Sequence, residues 1–366
     1  MAGSGFGTNF RITTWGETHG AGVGVVVDGC PAGLPLERED VQKYLDRRKP
    51  GQSKYTTQRK EGDQVEILSG IFEGRTTGTP ISMVVYNKDQ RSKDYSNIKD
   101  IYRPGHADFT FDMKYGFRDY RGGGRSSGRE TIGRVAAGAV AAKVLKELGI
   151  EIKAYAKAIA GIEVSKDHFD FAEMNNNPFN MPDKEAAKLV QEKADQMIKE
   201  MDSIGGIIEC QITGMPVGIG EPVFDKLDAE LSKAIMSIGS VKGFEIGDGF
   251  EAANLRGSEN NDDFICVDGK VEKETNHSGG VLGGMSDGSA IVFRAAIKPT
   301  PSIAQTQKTV NRDLDNVEIE IHGRHDPMIV PRAVVVVESM AAVTILDGVL
   351  KNLGATMDNI KKIYGE

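Results

Sequence analysis

Residues 119–149 read DYRGGGRSSGRETIGRVAAGAVAAKVLKELG, a glycine-rich loop that leads directly into a long apolar helix. Ser127 and Glu130 have the S-x-x-E spacing of a capping box, which predicts that the helix begins at Ser127. The first backbone N–H groups of the helix then face a loop with three arginines, which favours a bound anion. The loop is neither a Walker A motif nor a dinucleotide fingerprint. A capped helix with solvated arginines is the alternative, but three consecutive glycines are typical of backbone that a ligand approaches closely.

Segments with strand character flank this helix on both sides, in runs that single helices separate. Because strands and helices do not alternate steadily, the order favours an α+β fold over a doubly wound one. No linker rich in proline, serine or charge divides the chain, so we predict one domain over residues 1–366. Gly149 and Gly354 are predicted to end the two longest helices. Predicted strands lie near residues 22–28, 64–72, 80–86, 152–164, 207–214, 290–297 and 317–322, and predicted helices near residues 38–48, 130–148, 184–201, 223–237 and 332–353.

The composition excludes several classes of protein. Hydrophobic residues make up 39% and charged residues 27% of the chain, which is typical of a globular protein and not of a disordered or collagen-like one. The most apolar stretch, residues 333–346, contains Glu338 and is too short for a membrane span. The N-terminal segment lacks the apolar core of a secretion signal. Three distant cysteines without a CxxC pair fit the reducing cytoplasm and argue against a disulfide framework or a zinc ribbon.

Positive charge is concentrated in two segments, although the net charge of the chain is -8. Residues 47–60 contain six basic residues and no acid, and residues 103–134 contain seven basic residues and four acids. We expect an acidic protein with such local clusters to bind a small anion at them. An RNA- or polyanion-binding protein is the non-enzymatic alternative, but such proteins usually carry a basic face with interleaved aromatic residues.

Three histidines lie in short turns rich in glycine and proline: His19 in GETHG, His106 in RPGHAD and His325 in GRHDP. A histidine held in such a turn is a usual proton donor or acceptor near neutral pH. His168 and His322 are interpreted as ordinary loop histidines. No histidine pair has the spacing of a zinc protease and no cysteine lies near a histidine, so no metal site is predicted.

Two further segments allow both a functional and a structural interpretation. Asp326 lies between Arg324 and Arg332, where it either takes part in chemistry or only forms ion pairs in a turn. Residues 276–288, NHSGGVLGGMSDG, contain two glycine pairs that let a flat or phosphorylated ligand approach the backbone. A bulged pair of strands would use the same glycines.

Six segments of the chain resemble the signature segments of the chorismate synthase family. They are GETHG, RPGHAD, DYRGGGRSSGRET, GGVLGGMSDG, KPTPSI and GRHDP, in the family's order and at similar spacing between residues 16 and 332. The resemblance therefore covers nearly the whole chain. The first segment usually reads GESHG in the family, so Thr18 is a conservative departure that leaves His19 in place.

The resemblance implies a lyase of the shikimate pathway to the aromatic amino acids. The family converts 5-enolpyruvylshikimate 3-phosphate to chorismate by anti-1,4-elimination of phosphate and a ring hydrogen. It requires reduced FMN without net redox change, because the flavin is thought to lend the substrate an electron and take it back. Bacterial-type relatives rely on an external NADPH-dependent flavin reductase, and we expect this chain to be of that type. A flavin reductase or NADPH-dependent oxidoreductase is the enzymatic alternative.

The resemblance also implies catalytic roles for three residues. His19 corresponds to the histidine that protonates the leaving phosphate, and His106 to the one associated with protonating the reduced flavin. Asp326 corresponds to an aspartate thought to act with the flavin in removing the ring hydrogen. The substrate candidates are Arg48, Lys54, Arg129 and Arg332, of which the first two match family positions linked to NADPH or substrate; a family arginine is Lys54 here. The implied flavin contacts are Arg125, Ser126, Ser127, Gly239, Ser240, Gly283, Lys298, Pro299, Thr300, Pro301, Ser302 and Arg324.

The family fold is one domain in which helices are sandwiched between two antiparallel four-stranded sheets. Family members assemble as homotetramers, so we expect a cytoplasmic homotetramer without nucleic-acid or membrane partners. Many relatives carry Asn-Ala at positions 239–240, so the Gly-Ser pair here weakens any role of these side chains.

Overall fold

The computed structural model describes residues 3–56, 61–88, 99–321 and 326–365. These residues form a mixed fold of strands and helices. The strands are β1 (Gly5–Phe6), β2 (Arg11–Gly16), β3 (Gly22–Asp28), β4 (Val65–Ile67), β5 (Ile71–Phe72), β6 (Arg75–Thr76), β7 (Ile81–Tyr86), β8 (Glu151–Ile159), β9 (Ile162–Glu163), β10 (Gly206–Thr213), β11 (Val241–Ile246), β12 (Phe264–Val267), β13 (Lys270–Lys273), β14 (Val281–Leu282), β15 (Met285–Ser286), β16 (Ile291–Ile297), β17 (Thr306–Val310) and β18 (Asn316–Glu320). The helices are α1 (Arg38–Arg48), α2 (Asp108–Tyr115), α3 (Thr131–Glu147), α4 (Lys184–Lys199), α5 (Leu227–Met236), α6 (Gly257–Asn260), α7 (Val330–Lys351) and α8 (Met357–Tyr364).

Two antiparallel sheets make up most of the strand structure. The first has the order β1-β2-β3-β7-β4 and the second the order β11-β16-β10-β8-β9. Each sheet has five strands, so the expected count of four is wrong for both. The difference comes from short edge strands, because β1 and β9 have two residues each and β4 has three.

Helices α3 and α7 pack against each other between the two sheets. α3 contacts β2, β3 and β7 of the first sheet, and α7 contacts β8 and β10 of the second. α7 is apolar around nearly its whole circumference, which is typical of a helix that is covered on all sides. By length and composition residues Val330–Gly354 would suffice to cross a membrane, but 78% of the most apolar window is buried inside the protein.

Glu338 interrupts this apolar helix and is satisfied inside the fold. Its carboxylate accepts hydrogen bonds from Arg47 Nη1 at 2.6 Å and Nη2 at 2.9 Å, and from the backbone N–H of Ala154 at 3.3 Å. A buried carboxylate without such partners would be costly, since desolvation disfavours the charged form. Glu338 thus joins α1 and β8 to the central helix.

The start of α3 differs from the prediction of a capping box. The helix begins at Thr131, and Ser127 instead caps a single 3₁₀ turn, where its Oγ accepts from Arg129 N at 3.3 Å. The Glu130 carboxylate accepts from Thr14 Oγ1 at 2.8 Å and from Arg134 Nε at 2.8 Å. A hydroxyl on β2 and a guanidinium one turn along the helix hold this carboxylate, which therefore turns away from Ser127.

The close packing of α3 on α7 depends on a residue without a side chain. A Cβ on Gly138 would lie 2.3 Å from Ser339 Cβ, so only glycine lets the two helices approach this closely. Gly149 follows α3 with φ +76°, as predicted for the residue that ends it. The prediction for Gly354 is wrong, because α7 ends at Lys351 and a 3₁₀ turn leads from there into α8.

Candidate functional site

Two buried arginines share one carboxylate next to the glycine-rich loop. Asp63 Oδ2 accepts from Arg48 Nη1 at 2.6 Å, and Oδ1 accepts from Arg129 Nη1 at 3.1 Å. Arg48 also donates from Nε to Thr131 Oγ1 at 3.1 Å and from Nη2 to Gly128 O at 3.0 Å, which ties the end of α1 to the start of α3. Burial lowers the pKa of Arg48 to about 10, so the guanidinium stays charged at neutral pH.

Asn87 connects Arg129 with the GETHG loop. Its Oδ1 accepts from Arg129 Nε at 2.7 Å, and its Nδ2 donates to Glu17 O and Gly20 O at 2.9 Å each. Arg129 Nη2 is buried and has no hydrogen-bond partner among the residues that the structure describes. This nitrogen is therefore a donor that a bound anion can use.

His19 lies against the glycine run of residues 119–149. A Cβ on Gly122 would lie 2.8 Å from His19 Cδ2 and 3.1 Å from its Nε2, so a larger residue at this position would displace the imidazole. Nearby, Arg121 holds the pKa of Asp119 below its ordinary value, mainly by hydrogen bonding. The GETHG loop and the glycine run, which are far apart in the chain, thus meet at His19.

Asp326 forms the ion pair that the structural interpretation of this residue requires. Its Oδ2 accepts from Arg332 Nη1 at 2.6 Å. Arg332 Nε donates to the carbonyl of Arg48 at 3.0 Å, which places this pair beside the buried arginines. The adjoining Pro327 carbonyl accepts from Ile204 N at 3.1 Å, so the chain after Asp326 is fixed to the segment before β10.

From Ile204 the contacts continue through the KPTPSI segment to His106. Ser203 Oγ donates to Thr300 O at 2.7 Å, and Ser302 Oγ lies 2.8 Å from His106 Nε2. His106 Nδ1 lies 2.9 Å from the carbonyl of Pro104. Since a carbonyl oxygen can only accept, Nδ1 carries the proton of the neutral ring and Nε2 accepts from Ser302.

The surroundings of His106 favour its neutral form. Burial lowers the pKa of His106 below its usual value of 6.5, and the positive charges of Arg103 and Lys298 lower it further. Arg103 is held by a buried ion pair to Asp108, with Nε and Nη2 each 2.8 Å from a carboxylate oxygen. Lys298 Nζ donates to the carbonyl of Gly105 at 3.1 Å.

Both prolines of the KPTPSI segment pack on glycine backbone. A Cβ on Gly105 would lie 2.7 Å from Pro301 Cβ, and one on Gly205 would lie 3.0 Å from Pro299 N. Thr300 Oγ1, between the prolines, is buried and has no hydrogen-bond partner among the described residues. The segment is thus held rigidly while one polar atom remains available to a ligand.

The start of the glycine-rich loop is anchored to β2. Arg125 donates from Nη1 to Gly16 O at 3.0 Å and from Nη2 to Thr14 Oγ1 at 2.6 Å. Ser126 is exposed, and its Oγ donates to the carbonyl of Gly123 at 2.6 Å. The guanidinium of Arg125 therefore fixes the loop, and the serine lies at its surface.

Residues 239–240 are joined to the same assembly from the other side. Arg134 donates from Nη1 to Ser237 Oγ at 2.6 Å at the end of α5, and Lys298 N donates to Ser240 O at 2.9 Å. No atom of the described residues lies within 4 Å of a Cβ placed on Gly239, so the described part of the chain leaves the space next to it open. These hydrogen bonds, together with the covalent links between neighbouring residues, form one closed path around the site, which we call the hydrogen-bond circuit. Its first half runs through the GETHG loop, Asn87, Arg129, Asp63, Arg48, Arg332, Asp326, Ile204, Thr300, Ser302 and His106. Its second half returns through Lys298, Ser240, Ser237, Arg134 and Glu130.

Lys54 does not contact this circuit. Its Nζ lies 2.8 Å from Asp195 Oδ1 on α4, and its side chain is 63% exposed. Arg324 and His325 lie outside the described residues, so the proposed flavin contact of Arg324 stays a prediction.

Gly283 lies at a distance from the other predicted flavin contacts. It is in the turn between β14 and β15, where the carbonyl of Gly284 accepts from Leu227 N at the first residue of α5. Gly239 and Ser240 follow the last residue of the same helix. A helix of 10 residues spans about 15 Å, so Gly283 lies at the opposite end of α5 from Gly239 and Ser240. The glycine pairs of residues 276–288 flank and connect a small strand pair, β14 and β15.

Sequence reasoning missed the polar partners of the predicted cations. Asp63 and Asn87 each join two parts of the circuit, and Ser203 fixes the KPTPSI segment. A signal was present for Asp63, because Glu61 and Asp63 directly follow the acid-free basic run of residues 47–60. Asn87 directly follows β7, and polar residues at strand ends often belong to sites.

The circuit combines groups that suit an anionic substrate and proton transfer. Arg48, Arg129 and Arg332 supply fixed positive charge, and His106 presents a neutral imidazole. Within the described ranges, no group of three or more His, Cys, Asp or Glu side chains could hold a metal ion. The arrangement can therefore bind a polyanion and move protons with its own side chains.

Comparison with known proteins shows the same family as the six sequence segments. A family model of chorismate synthase matches residues 10–350. The chain belongs to the chorismate synthase family. A chorismate synthase of Lachnospira eligens is 68% identical over 364 residues, which cover 100% of both chains, and one of Agathobacter rectalis is 65% identical over 100% of this chain and 99% of that one. A crystal structure of chorismate synthase is similar with a TM-score of 0.77 and 31% identity, over 98% of this chain and 96% of that one.

Membership of the chorismate synthase family confirms the prediction made from the sequence segments. It makes the protein a carbon–oxygen lyase of aromatic biosynthesis that forms chorismate. A generic polyanion-binding protein and a flavin reductase were the alternatives, and the names of these relatives support neither.

Proposed function

We propose that the enzyme converts 5-enolpyruvylshikimate 3-phosphate into chorismate and phosphate by anti-1,4-elimination, with reduced FMN as a cofactor that is not consumed. The observation that carries this proposal is the hydrogen-bond circuit, because it joins the loops of His19 and His106 to a cluster of arginines. Acid–base groups and an anion site in one rigid assembly suit a reaction in which phosphate leaves as a proton is lost.

The arginines bind and orient the substrate. The substrate carries a phosphate and two carboxylates, and guanidinium groups bind both kinds of anion through paired N–H donors. Arg129 Nη2 is the clearest donor, because it is buried without a partner among the described residues. Arg48 and Arg332 add positive charge behind it. Lys54 adds a further cation by releasing its exposed bond to Asp195.

The elimination balances without net oxidation. The carbon–oxygen bond to phosphate breaks, a ring carbon–hydrogen bond breaks, and a carbon–carbon double bond forms. His19, which lies on the glycine run, donates a proton to the departing phosphate. Arg332 Nη1 lies 2.6 Å from Asp326 Oδ2 and orients the Asp326 carboxylate, which takes part in removing the ring hydrogen.

The residues of the circuit fit a bound flavin. Thr300 Oγ1 offers an unsatisfied buried hydrogen-bonding atom, and open space adjoins Gly239. Residues that would hold the flavin are those of the 125–127, 239–240 and 298–302 segments, with Arg324, whereas Gly283 lies at the far end of α5. Reduced FMN, when bound, supplies electron density that eases the departure of phosphate and that is returned as the hydrogen leaves. His106 accepts a proton at Nε2, because its lowered pKa keeps the imidazole neutral at pH 7 with its proton on Nδ1.

The remaining proposals concern the protein as a whole. One continuous cluster of buried side chains includes residues of both main sheets and supports a single domain over residues 1–366. The resemblance to the family supports a cytoplasmic homotetramer. It also supports reduction of FMN by a separate NADPH-dependent reductase.

The decisive experiment is anaerobic incubation of the protein with dithionite-reduced FMN and 5-enolpyruvylshikimate 3-phosphate. We expect chorismate and phosphate in equal amounts over many turnovers, without stoichiometric oxidation of FMN. His19→Ala and His106→Ala should each lower turnover about 10²–10⁴-fold, the usual cost of losing a general acid or a general base. In a parallel incubation with NADPH, consumption of NADPH in proportion to product would instead indicate an oxidoreductase.

A further inference from the structure

Asp63 occupies an unusual place between the two buried arginines. Its side chain is 0% exposed, and its backbone has φ +42°, in the left-handed region. Gln42 of α1 holds the backbone on both sides, because Nε2 lies 3.3 Å from Asp63 O and Oε1 accepts from Val65 N at 3.1 Å. Neither the side chain nor the backbone of Asp63 can therefore move independently of α1.

The carboxylate of Asp63 keeps two like charges together. Arg48 and Arg129 bind its two different oxygens, at 2.6 Å and 3.1 Å. Without a carboxylate between them two buried guanidinium groups repel each other strongly, since the protein interior screens charge less than water does. Glu61 also pairs with Arg129 Nη1, at 2.6 Å, whereas Asp63 pairs with both Arg129 and Arg48.

The remaining bonds of Arg129 fix the direction of its last donor. Nε is held by Asn87, and Nη1 is held by Asp63 and Glu61. Because a guanidinium is planar and rigid, these bonds determine where Nη2 points. Nη2 is the buried nitrogen that has no partner in the described part of the chain.

We infer that Asp63 is a positioning residue that holds Arg48 and Arg129 in a single geometry, so that Arg129 Nη2 binds an anionic group of the substrate. This inference rests on the proposed function. It assigns Asp63 no contact with the substrate. Its effect is transmitted through the two arginines, and it should therefore change substrate binding more than the chemical step.

Asp63→Asn separates positioning from simple charge. Asparagine has nearly the same shape and tolerates a left-handed backbone, but it is neutral. If Asp63 acted only through its charge, its removal would leave the site more positive, and the KM for the polyanionic substrate would fall. If Asp63 positions the arginines, the two guanidinium groups move apart and KM rises. The two accounts predict opposite signs.

The test is steady-state kinetics of the full-length protein under anaerobic conditions with saturating reduced FMN. For Asp63→Asn we expect KM for 5-enolpyruvylshikimate 3-phosphate to rise about tenfold or more, with a smaller change in kcat. In an Arg129→Lys background the same substitution should add little, because both changes disrupt one unit.

Asp183→Asn is the matched control. Asp183 is also a buried carboxylate, but it accepts from Ser165 N, Glu185 N and Ala186 N at the start of α4. Its substitution should leave KM unchanged. An equal rise of KM in both variants would overturn the inference, because it would indicate a general effect of losing a buried carboxylate.

Other outcomes also decide the question. An unchanged or lower KM for Asp63→Asn in an active protein would overturn the inference but not the proposed function. A wild-type protein that does not convert the substrate would overturn both. Circular dichroism checks that the variant folds. If it does not, Asp63→Glu replaces it, because this change keeps the charge but displaces the carboxylate from its place between Arg48 and Arg129. A severalfold rise in KM is then expected, and an unchanged KM would overturn the inference.

Discussion

Asn87→Ala should uncouple the GETHG loop from the arginine cluster. The substitution removes two bonds to backbone carbonyls at 2.9 Å and one bond from the Arg129 guanidinium at 2.7 Å. A neutral bond contributes about 0.5–1.5 kcal/mol and a bond to a charged group about 1.5–3 kcal/mol. Because Asn87 is only half-buried and water can replace part of these bonds, we expect a loss of about 2–3 kcal/mol in the free energy of unfolding.

The effect on activity should be larger than this loss suggests. His19 is carried by the loop that Asn87 holds, and a displacement of about 1 Å in a reacting group can lower the rate about 10²-fold. We therefore expect kcat to fall about 10²-fold. Urea unfolding and steady-state kinetics with saturating reduced FMN, on the same preparation, measure the two effects.

Asn177→Ala provides a control with a similar loss of hydrogen bonds away from the circuit. Asn177 Nδ2 donates to Glu173 O at 2.7 Å and Met181 O at 2.8 Å, and its Oδ1 accepts from Phe179 N at 3.1 Å and from Met181 N at 3.2 Å. This variant should lose a comparable amount of stability and keep the wild-type kcat. A similar fall of kcat in both variants would show that general destabilisation, not the loop, explains the result.

Asn87→Asp tests which of the contacts matters. The carboxylate still accepts from Arg129 Nε, but it cannot donate to the carbonyls of Glu17 and Gly20. If anchoring of the loop is the important function, this variant should be as slow as Asn87→Ala. A return to the wild-type kcat would refute the reasoning, because the contact with Arg129 alone would then suffice.

Two further predictions concern pH and packing. Because the pKa of folded His106 lies below its usual 6.5, its neutral form adds stability that is present above pH 6.5 and lost as pH falls through the folded pKa. The unfolding free energy of the wild type, from urea titrations at several pH values, should therefore fall more steeply below pH 6.5 than that of His106→Asn, and equal slopes would contradict this. Gly138→Ala should lower stability by about 1–3 kcal/mol, because its Cβ would lie 2.3 Å from Ser339 Cβ. Gly354→Ala, with no atom within 4 Å of its Cβ, should leave thermal unfolding nearly unchanged, and equal losses in both variants would refute the packing argument.

Local patterns predicted α1 from its helical period and β3 from its continuous apolar run. α1 at Arg38–Arg48 and β3 at Gly22–Asp28 agree with the predicted bounds to the residue. β2 was missed, because its sequence RITTWG mixes a charged residue and two threonines with few apolar residues. α2 and α8 were also missed, since each has only eight residues and so gives a short periodic pattern.

The start of α3 shows why a local rule can fail. Ser127 and Glu130 have the spacing of a capping box, but Glu130 finds Thr14 and Arg134 instead. Thr14 lies on β2, more than a hundred positions away in the chain, so no window of sequence around the helix contains this competitor. The tertiary partner decides the geometry, and the helix consequently begins at Thr131.

The candidate site was predictable in its cations and much less so in its carboxylates. Lysines and arginines stand out in the sequence as clusters, whereas Asp63 is a single acid whose meaning depends on two arginines that meet only in the folded chain. The meaning of Asp326 likewise depends on contacts that exist only in the folded chain. Its ion pair with Arg332 was expected only if the residue was structural, but Arg332 also bonds to the backbone of Arg48. The pair therefore fixes Asp326 in place beside the buried arginines, as its proposed part in removing the ring hydrogen requires. Ion pairing and chemistry at Asp326 are thus compatible. Steady-state kinetics of Asp326→Asn distinguish the two roles. If the aspartate is catalytic, kcat falls at nearly constant KM, and if it only stabilises its turn, kcat stays at the wild-type value.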